Sequence, residues 1–208
     1  KRLKNASVPF LRSDKVKIAI VGIHGQYPQS ENLDVYWKNL KSGRDLISEI
    51  PASRWDYNDY YDANPENATS GKIYCKWGGF LSNIDKFDPH FFNISSDEAN
   101  LIDPQERLFL QSCWAAIEDA GYTRASLKER FPKGRSADVG VFVGVTNSSY
   151  NLLAAEEWNK GNHVAPGSLP WSIANRVSYF FDFTGPSIPV DTACSSSLVA
   201  IHLACESL

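Results

Sequence analysis

Residues 190–208 read VDTACSSSLVAIHLACESL. The first half reads as the end of a strand running into Cys194, and the second as a helix that begins there. A cysteine on such a junction lies beside the unpaired N–H groups and the positive end of the helix, which favours thiolate over thiol. A thiolate attacks acyl groups readily. The neighbours Ala193, Ser195, Ser196 and Ser197 are small, so they allow a sharp turn and leave room for a substrate. Taken alone, Cys194 equally fits a buried core cysteine, as most free cysteines are. Cys205, inside the apolar run LVAIHLAC, reads as core. The G-x-S-x-G elbow of serine hydrolases is absent. Pro189 sits just before the junction, and proline belongs on an edge strand, a bulge or a strand start, so this element is expected to be an edge that needs cover or a partner strand.

A cysteine nucleophile usually works with an acid–base partner. The chain holds four histidines, His24, His90, His163 and His202. His202 lies eight positions along the same helix, which displaces it from Cys194 by roughly 12 Å; it reads as a core histidine. His24 falls in a turn, His90 in a loop beside Phe91 and Phe92, and His163 in GNHVAPG. None has a pattern that points at Cys194, so the partner is expected to lie on other sequence.

Outward from the motif, the chain alternates strand-like and helix-like segments. VKIAIVG (16–22) is an apolar run suited to a strand buried on both faces. SENLDVYWKNLKSG (30–43) reads as a helix with Ser30 as cap, Leu33, Tyr36, Trp37 and Leu40 on one face, and Gly43 as stop. Residues 51–95 lack clear periodicity and read as an elaborated surface segment or binding loop, with KIYCKWGGFL forming a short hairpin. DPQERLFLQSCWAAIEDAGY (103–122) is the clearest helix: Asp103 caps it, Pro104 opens it, Gly121 ends it, and Leu110, Cys113, Trp114 and Ile117 form its apolar face. ADVGVFVGV (137–145) reads as a second buried strand, PWSIANRVSYFF (170–181) as a helix opened by Pro170, and GPSIPV (185–190) as the approach to the junction. This order predicts an α/β layered fold with a mainly parallel sheet.

Composition narrows the function classes. Of the 208 residues, 43% are hydrophobic types, enough for a sizeable core, and the net charge is −3. No basic surplus points to nucleic acid, and no apolar run is long enough to span a membrane. The four cysteines form no C-x-x-C pair, so no metal site is expected. Without a secretory pattern the chain reads as reduced and cytoplasmic. Residues 1–15 are polar, contain Pro9 and read as a linker, leaving 16–208 as the folded unit. The sequence contains no methionine and ends inside an apolar helical pattern, so it is expected to be a piece of a longer protein.

GPSIPVDTACSSSLVAIHLAC closely resembles the nucleophile motif of β-ketoacyl synthases, the condensing (ketosynthase) domains of modular type I polyketide synthases. The resemblance runs from about Lys15 to Leu208 and includes IAIVGIHGQYPQS, YWKNLKSGRDLISEIPASRWD, GGFLSNIDKFDPHFFNIS, DPQERLFLQSCWAAIEDAGY, GVFVGV and SIANRVSYFF. SIANRVSYFFDFTGPSIPVDTACSSSL looks most like ketosynthases of trans-acyltransferase systems. The resemblance implies a thiolase-like layered αβαβα fold, incomplete in this chain. It also implies a homodimer whose partner strand covers the edge at Pro189. It makes Cys194 the acyl-accepting residue and its backbone N–H one oxyanion donor. The acyl chain would arrive on the phosphopantetheine arm of an acyl carrier protein, with no cofactor bound directly, and decarboxylative Claisen condensation with a malonyl carrier protein would follow. The family's catalytic histidines and lysine fall in motifs this sequence does not carry, so this chain alone is expected not to condense. Thr146 and Asn147, in GVTNSSYNLL, fall where the family lines its acyl pocket and are expected to approach the substrate; an ordinary surface turn fits them equally. Two alternatives share the resemblance: a non-elongating domain that passes acyl chains on, and a non-catalytic fragment that serves in docking or dimerisation.

Overall fold

The computed structural model of the chain describes residues 17–130, 137–163 and 169–208. The expected linker 1–15 lies outside them. In chain order the elements are α1 (Leu33–Lys41), β1 (Ser48–Glu49), a 3-10 turn (Pro65–Ser70), β2 (Trp77–Gly78), α2 (Ser96–Leu101), α3 (Pro104–Asp119), α4 (Arg124–Arg130), β3 (Val141–Gly144), α5 (Tyr150–Asn159), α6 (Pro170–Phe181), β4 (Ser187–Val190), a 3-10 turn (Ala193–Ser195) and α7 (Ser196–Glu206).

The core forms where α3 and α6 meet. Asp103 caps α3 by accepting the Gln105 N–H at 2.9 Å, Pro104 occupies the first turn, and Gly121 takes φ +79° just past the end. Leu110 of α3 and Ala174 of α6 are fully buried, with Val177 and Phe181 beside them. Trp114 stacks on Phe181, and Cys113, Trp114 and Ile117 pack against this cluster as the apolar periodicity of α3 predicts.

β3 and β4 pair in parallel, with Val143 opposite Pro189 and Gly144 opposite Val190. Val141 and Val143 are buried in the core, while Phe142 and Gly144 are half-buried. Among the described residues β4 pairs with β3 alone, which leaves its other side unpaired, a place proline tolerates. Both α6 and α7 pack on β3 and on β4, α6 most of all on β4 and α7 most of all on β3.

Several expectations change. Residues 17–22 form no strand; Ile20 is 85% and Val21 68% exposed. A strand needs a neighbour for its ladder hydrogen bonds, and among the described residues this segment pairs with none. It rests instead beside the end of α3, where the Ile23 N–H donates to Asp119 Oδ2 at 2.9 Å. The cap of α1 is Asn32, whose side chain accepts the Val35 N–H; Ser30 is buried and accepts from Asn39 Nδ2 at 2.9 Å. Trp37 and Leu40 stand exposed, because α1 turns Asn39 inward instead. KIYCKWGGFL does not fold on itself: Trp77–Gly78 pairs antiparallel with Ser48–Glu49, a junction braced by Lys76 Nζ at 2.8 Å from Glu49. His202 is exposed on α7, not core, because among the described residues nothing covers that side of the helix, where Leu198 and Ile201 are also exposed. Cys205 is half-buried.

Candidate active site

Between β4 and α7 the chain reverses through Thr192, Ala193 and Cys194. Ala193 has φ +54°, the left-handed region that a residue with a Cβ rarely enters. That conformation breaks β4 and places Cys194 in the single 3-10 turn ahead of α7. Cys194 is an exposed free thiol. Of the other cysteines, Cys113 is packed against the core, and burial pushes its thiol up to about 12.

Side chains hold the reversal. Asp191 Oδ1 accepts the Ala193 N–H at 3.0 Å. Ser196, 5% exposed, accepts the Thr192 N–H at 2.9 Å and donates to the Ala193 carbonyl at 2.7 Å. Thr146 reaches the same point from the end of β3, with its hydroxyl 3.3 Å from the Ala193 carbonyl oxygen and 3.2 Å from Ser196 Oγ. Ser195 Oγ donates to the Thr192 carbonyl at 2.8 Å. The turn is thus tied at both ends and from a neighbouring strand.

Of the sequence-predicted residues, Thr146 and Cys194 are brought to one turn. Asn147 is tied elsewhere: its carbonyl accepts from Gln105 Nε2 at 2.9 Å, and the same amide group lies 3.2 Å from Asp103 Oδ2. The start of α3 therefore anchors the segment that carries Thr146. Cavities of about 600 and 740 Å³ share Gln29, Leu81, Ser82 and Asn83 and are lined by neither Thr146 nor Cys194. No hydrogen bond joins a histidine to Cys194 among the described residues: His24 Nδ1 lies 3.0 Å from Ser112 Oγ, and His163 meets the Trp158 ring edge-on.

Sequence reading missed Ser196 and Gln105. Ser196 had a signal, since a serine can bond back to the carbonyl three residues earlier. Gln105 had none, because its partner Asn147 is 42 positions away.

The family described as "Beta-ketoacyl synthase, N-terminal domain" matches residues 15–208. The chain belongs to the β-ketoacyl synthase family. It is 56% identical over 192 residues to Polyketide synthase PksL of Bacillus subtilis, a match that covers 92% of this chain and 4% of that protein. Over 191 residues it is 54% identical to Polyketide synthase ThaG of Burkholderia thailandensis, covering 92% of this chain and 3% of that one. Among solved structures, the oxazolomycin ketosynthase domain OzmH KS7 of Streptomyces albus superposes with a TM-score of 0.82 at 50% identity, covering 90% of this chain and 31% of that chain. The ketosynthase from module 6 of the bacillaene synthase of Bacillus subtilis gives a TM-score of 0.73 at 42% identity, covering 91% and 29%. The chain therefore shares the thiolase-like fold of ketosynthase domains over the part it spans, and the α/β expectation holds. It spans a few hundredths of the length of these curated relatives and about three tenths of the solved ketosynthases.

Proposed function

We propose that Cys194 is the acyl-accepting nucleophile of a condensing enzyme of polyketide synthesis, within a synthase of the trans-acyltransferase type. The observation that carries this is the exposed thiol on a left-handed turn between β4 and α7, in a chain of the β-ketoacyl synthase family. In the loading step the Cys194 thiolate attacks the carbonyl carbon of an acyl thioester held on the phosphopantetheine arm of an acyl carrier protein. The new C–S bond forms, the C–S bond to the arm breaks, and the arm leaves as a thiolate that takes up a proton. One thioester replaces another at nearly equal free energy, which suits a transfer station. In the second step a malonyl thioester on a carrier protein loses CO2, and the resulting enolate carbon attacks the Cys194 thioester. A C–C bond forms and the Cys194 thiolate is released. Stabilising the enolate oxygen requires hydrogen-bond donors. No hydrogen bond joins a described histidine to Cys194, so in this reading those donors come from outside the described residues. The same reading includes a homodimer that covers the β4 edge, and the other domains of the synthase as partners.

The test is a mass measurement. The chain is incubated with an acyl-N-acetylcysteamine thioester and its intact mass recorded. One acyl adduct is expected, lost in Cys194→Ala and retained in Cys113→Ala and Cys205→Ala. An unmodified chain, or an adduct that survives Cys194→Ala, contradicts the assignment.

A further inference from the structure

The hydroxyls at the reversal have a consequence for the reacting group itself. The Ala193 carbonyl belongs to the same peptide plane as the Cys194 N–H. That plane is trans, so the two groups point in opposite directions. The Ala193 carbonyl accepts the Ser196 backbone N–H, which closes the 3-10 turn, and the Ser196 hydroxyl at 2.7 Å, with the Thr146 hydroxyl 3.3 Å away at the end of β3. Fixing one end of the plane fixes the other. Ser196 is well placed to do this, because it is buried, its oxygen accepts the Thr192 N–H and its proton goes to the Ala193 carbonyl, while the single Thr146 proton goes either to that carbonyl or to Ser196 Oγ at 3.2 Å. Asp191 restrains the other peptide of Ala193 through its N–H. A left-handed alanine relaxes toward the right-handed or extended regions unless its surroundings hold it, and such a relaxation swings this plane.

We infer that Ser196 and Thr146 are positioning residues that aim the Cys194 N–H at the oxygen of the attacked thioester. Thr146 then acts on the backbone of the turn, and substrate contact by its hydroxyl is not required. Gln105 extends the support, because its bond to the Asn147 carbonyl fixes the segment on which Thr146 stands. This inference rests on the proposed acyl transfer to Cys194.

Two reactions of the same sulfur separate aiming from mere folding. Acylation by a thioester passes through an oxyanion that an aimed N–H stabilises; alkylation by iodoacetamide displaces iodide and forms no oxyanion. Both rates are measured at Cys194 by mass spectrometry on the full chain, for the wild type, Thr146→Val, Thr146→Ser and Ser196→Ala. Thr146→Val and Ser196→Ala are expected to slow acylation about tenfold while alkylation stays within about twofold. Thr146→Ser, which keeps the hydroxyl, is expected to restore wild-type acylation. Thr146 is exposed, so its variants report even where Ser196→Ala fails to fold. Unchanged acylation in Thr146→Val overturns the inference, and so does a parallel fall of both rates. A wild-type chain that takes no acyl group overturns the underlying acyl-transfer reading instead.

Discussion

Gly144 at the end of β3 lies so close to the first turn of α7 that a Cβ on it would stand 2.7 Å from the Ser197 nitrogen. That is closer than a real side-chain carbon approaches backbone, so only glycine lets the helix seat on the strand. The helix that follows Cys194 is thus registered on β3 at the residue two positions before Thr146. Gly144→Ala is expected to destabilise the chain by about 1–3 kcal/mol, as other overpacked sites do. Urea denaturation measures the loss, and acyl loading at Cys194 is expected to fall with it, because the displaced backbone is that of the turn. Unchanged stability would mean that α7 moves away without penalty.

The buried charge between α3 and α6 is a second point of control. Glu106 is fully buried and accepts a hydrogen bond from Arg176 Nε, while Arg176 Nη1 reaches Glu98 at 2.9 Å. Removing the cation leaves a carboxylate in the core without its counter-charge. Arg176→Met is expected to cost about 3–5 kcal/mol, and the double change Glu106→Leu with Arg176→Met far less. Chemical denaturation of the two variants distinguishes a desolvated carboxylate from a surface contact; equal losses would contradict the burial of Glu106.

How far the sequence could carry this reading is visible element by element. The helices α3 and α6 were legible because their signals are local and one-sided: Asp103 with Pro104, Pro170, and an apolar stripe that the core then used. Pro189 pointed to an unpaired side of β4, and among the described residues β4 pairs with β3 alone. The helix α5 was not legible, since its apolar residues circle the axis and none of its residues is buried. The run 16–22 misled for the opposite reason. Its composition calls for burial on both faces, yet burial is a property of neighbours, and its described neighbours leave Ile20 and Val21 in solvent. At the site, Cys194 and its junction were legible, whereas the hydroxyl tie from Thr146 to the Ala193 carbonyl joins residues 47 positions apart and is visible only in three dimensions.

Cys113 gives a pH-dependent prediction. Burial raises its thiol from 9.0 to about 12 in the folded chain. Below pH 9 the thiol is protonated folded or unfolded and stability is at its full value. Between pH 9 and about 12 the unfolded chain ionises and the folded one does not, so stability falls as pH rises. Cys113→Ala is expected to remove that component of the alkaline slope, read as denaturation midpoints from pH 8 to 11. At pH 8, iodoacetamide is expected to label the exposed Cys75 and Cys194 and spare Cys113 in the native chain. Rapid labelling of Cys113 would contradict its burial.

The central claim is tested most directly by locating the acyl group itself. An acyl carrier protein bearing an acyl-phosphopantetheine arm is mixed with the chain, and the digest is sequenced by tandem mass spectrometry. The account predicts the acyl mass on the peptide that contains Cys194, carried by its sulfur and released by hydroxylamine as a thioester must be. Acyl transfer to another residue, or none to Cys194 while the folded chain presents its free thiol, contradicts it.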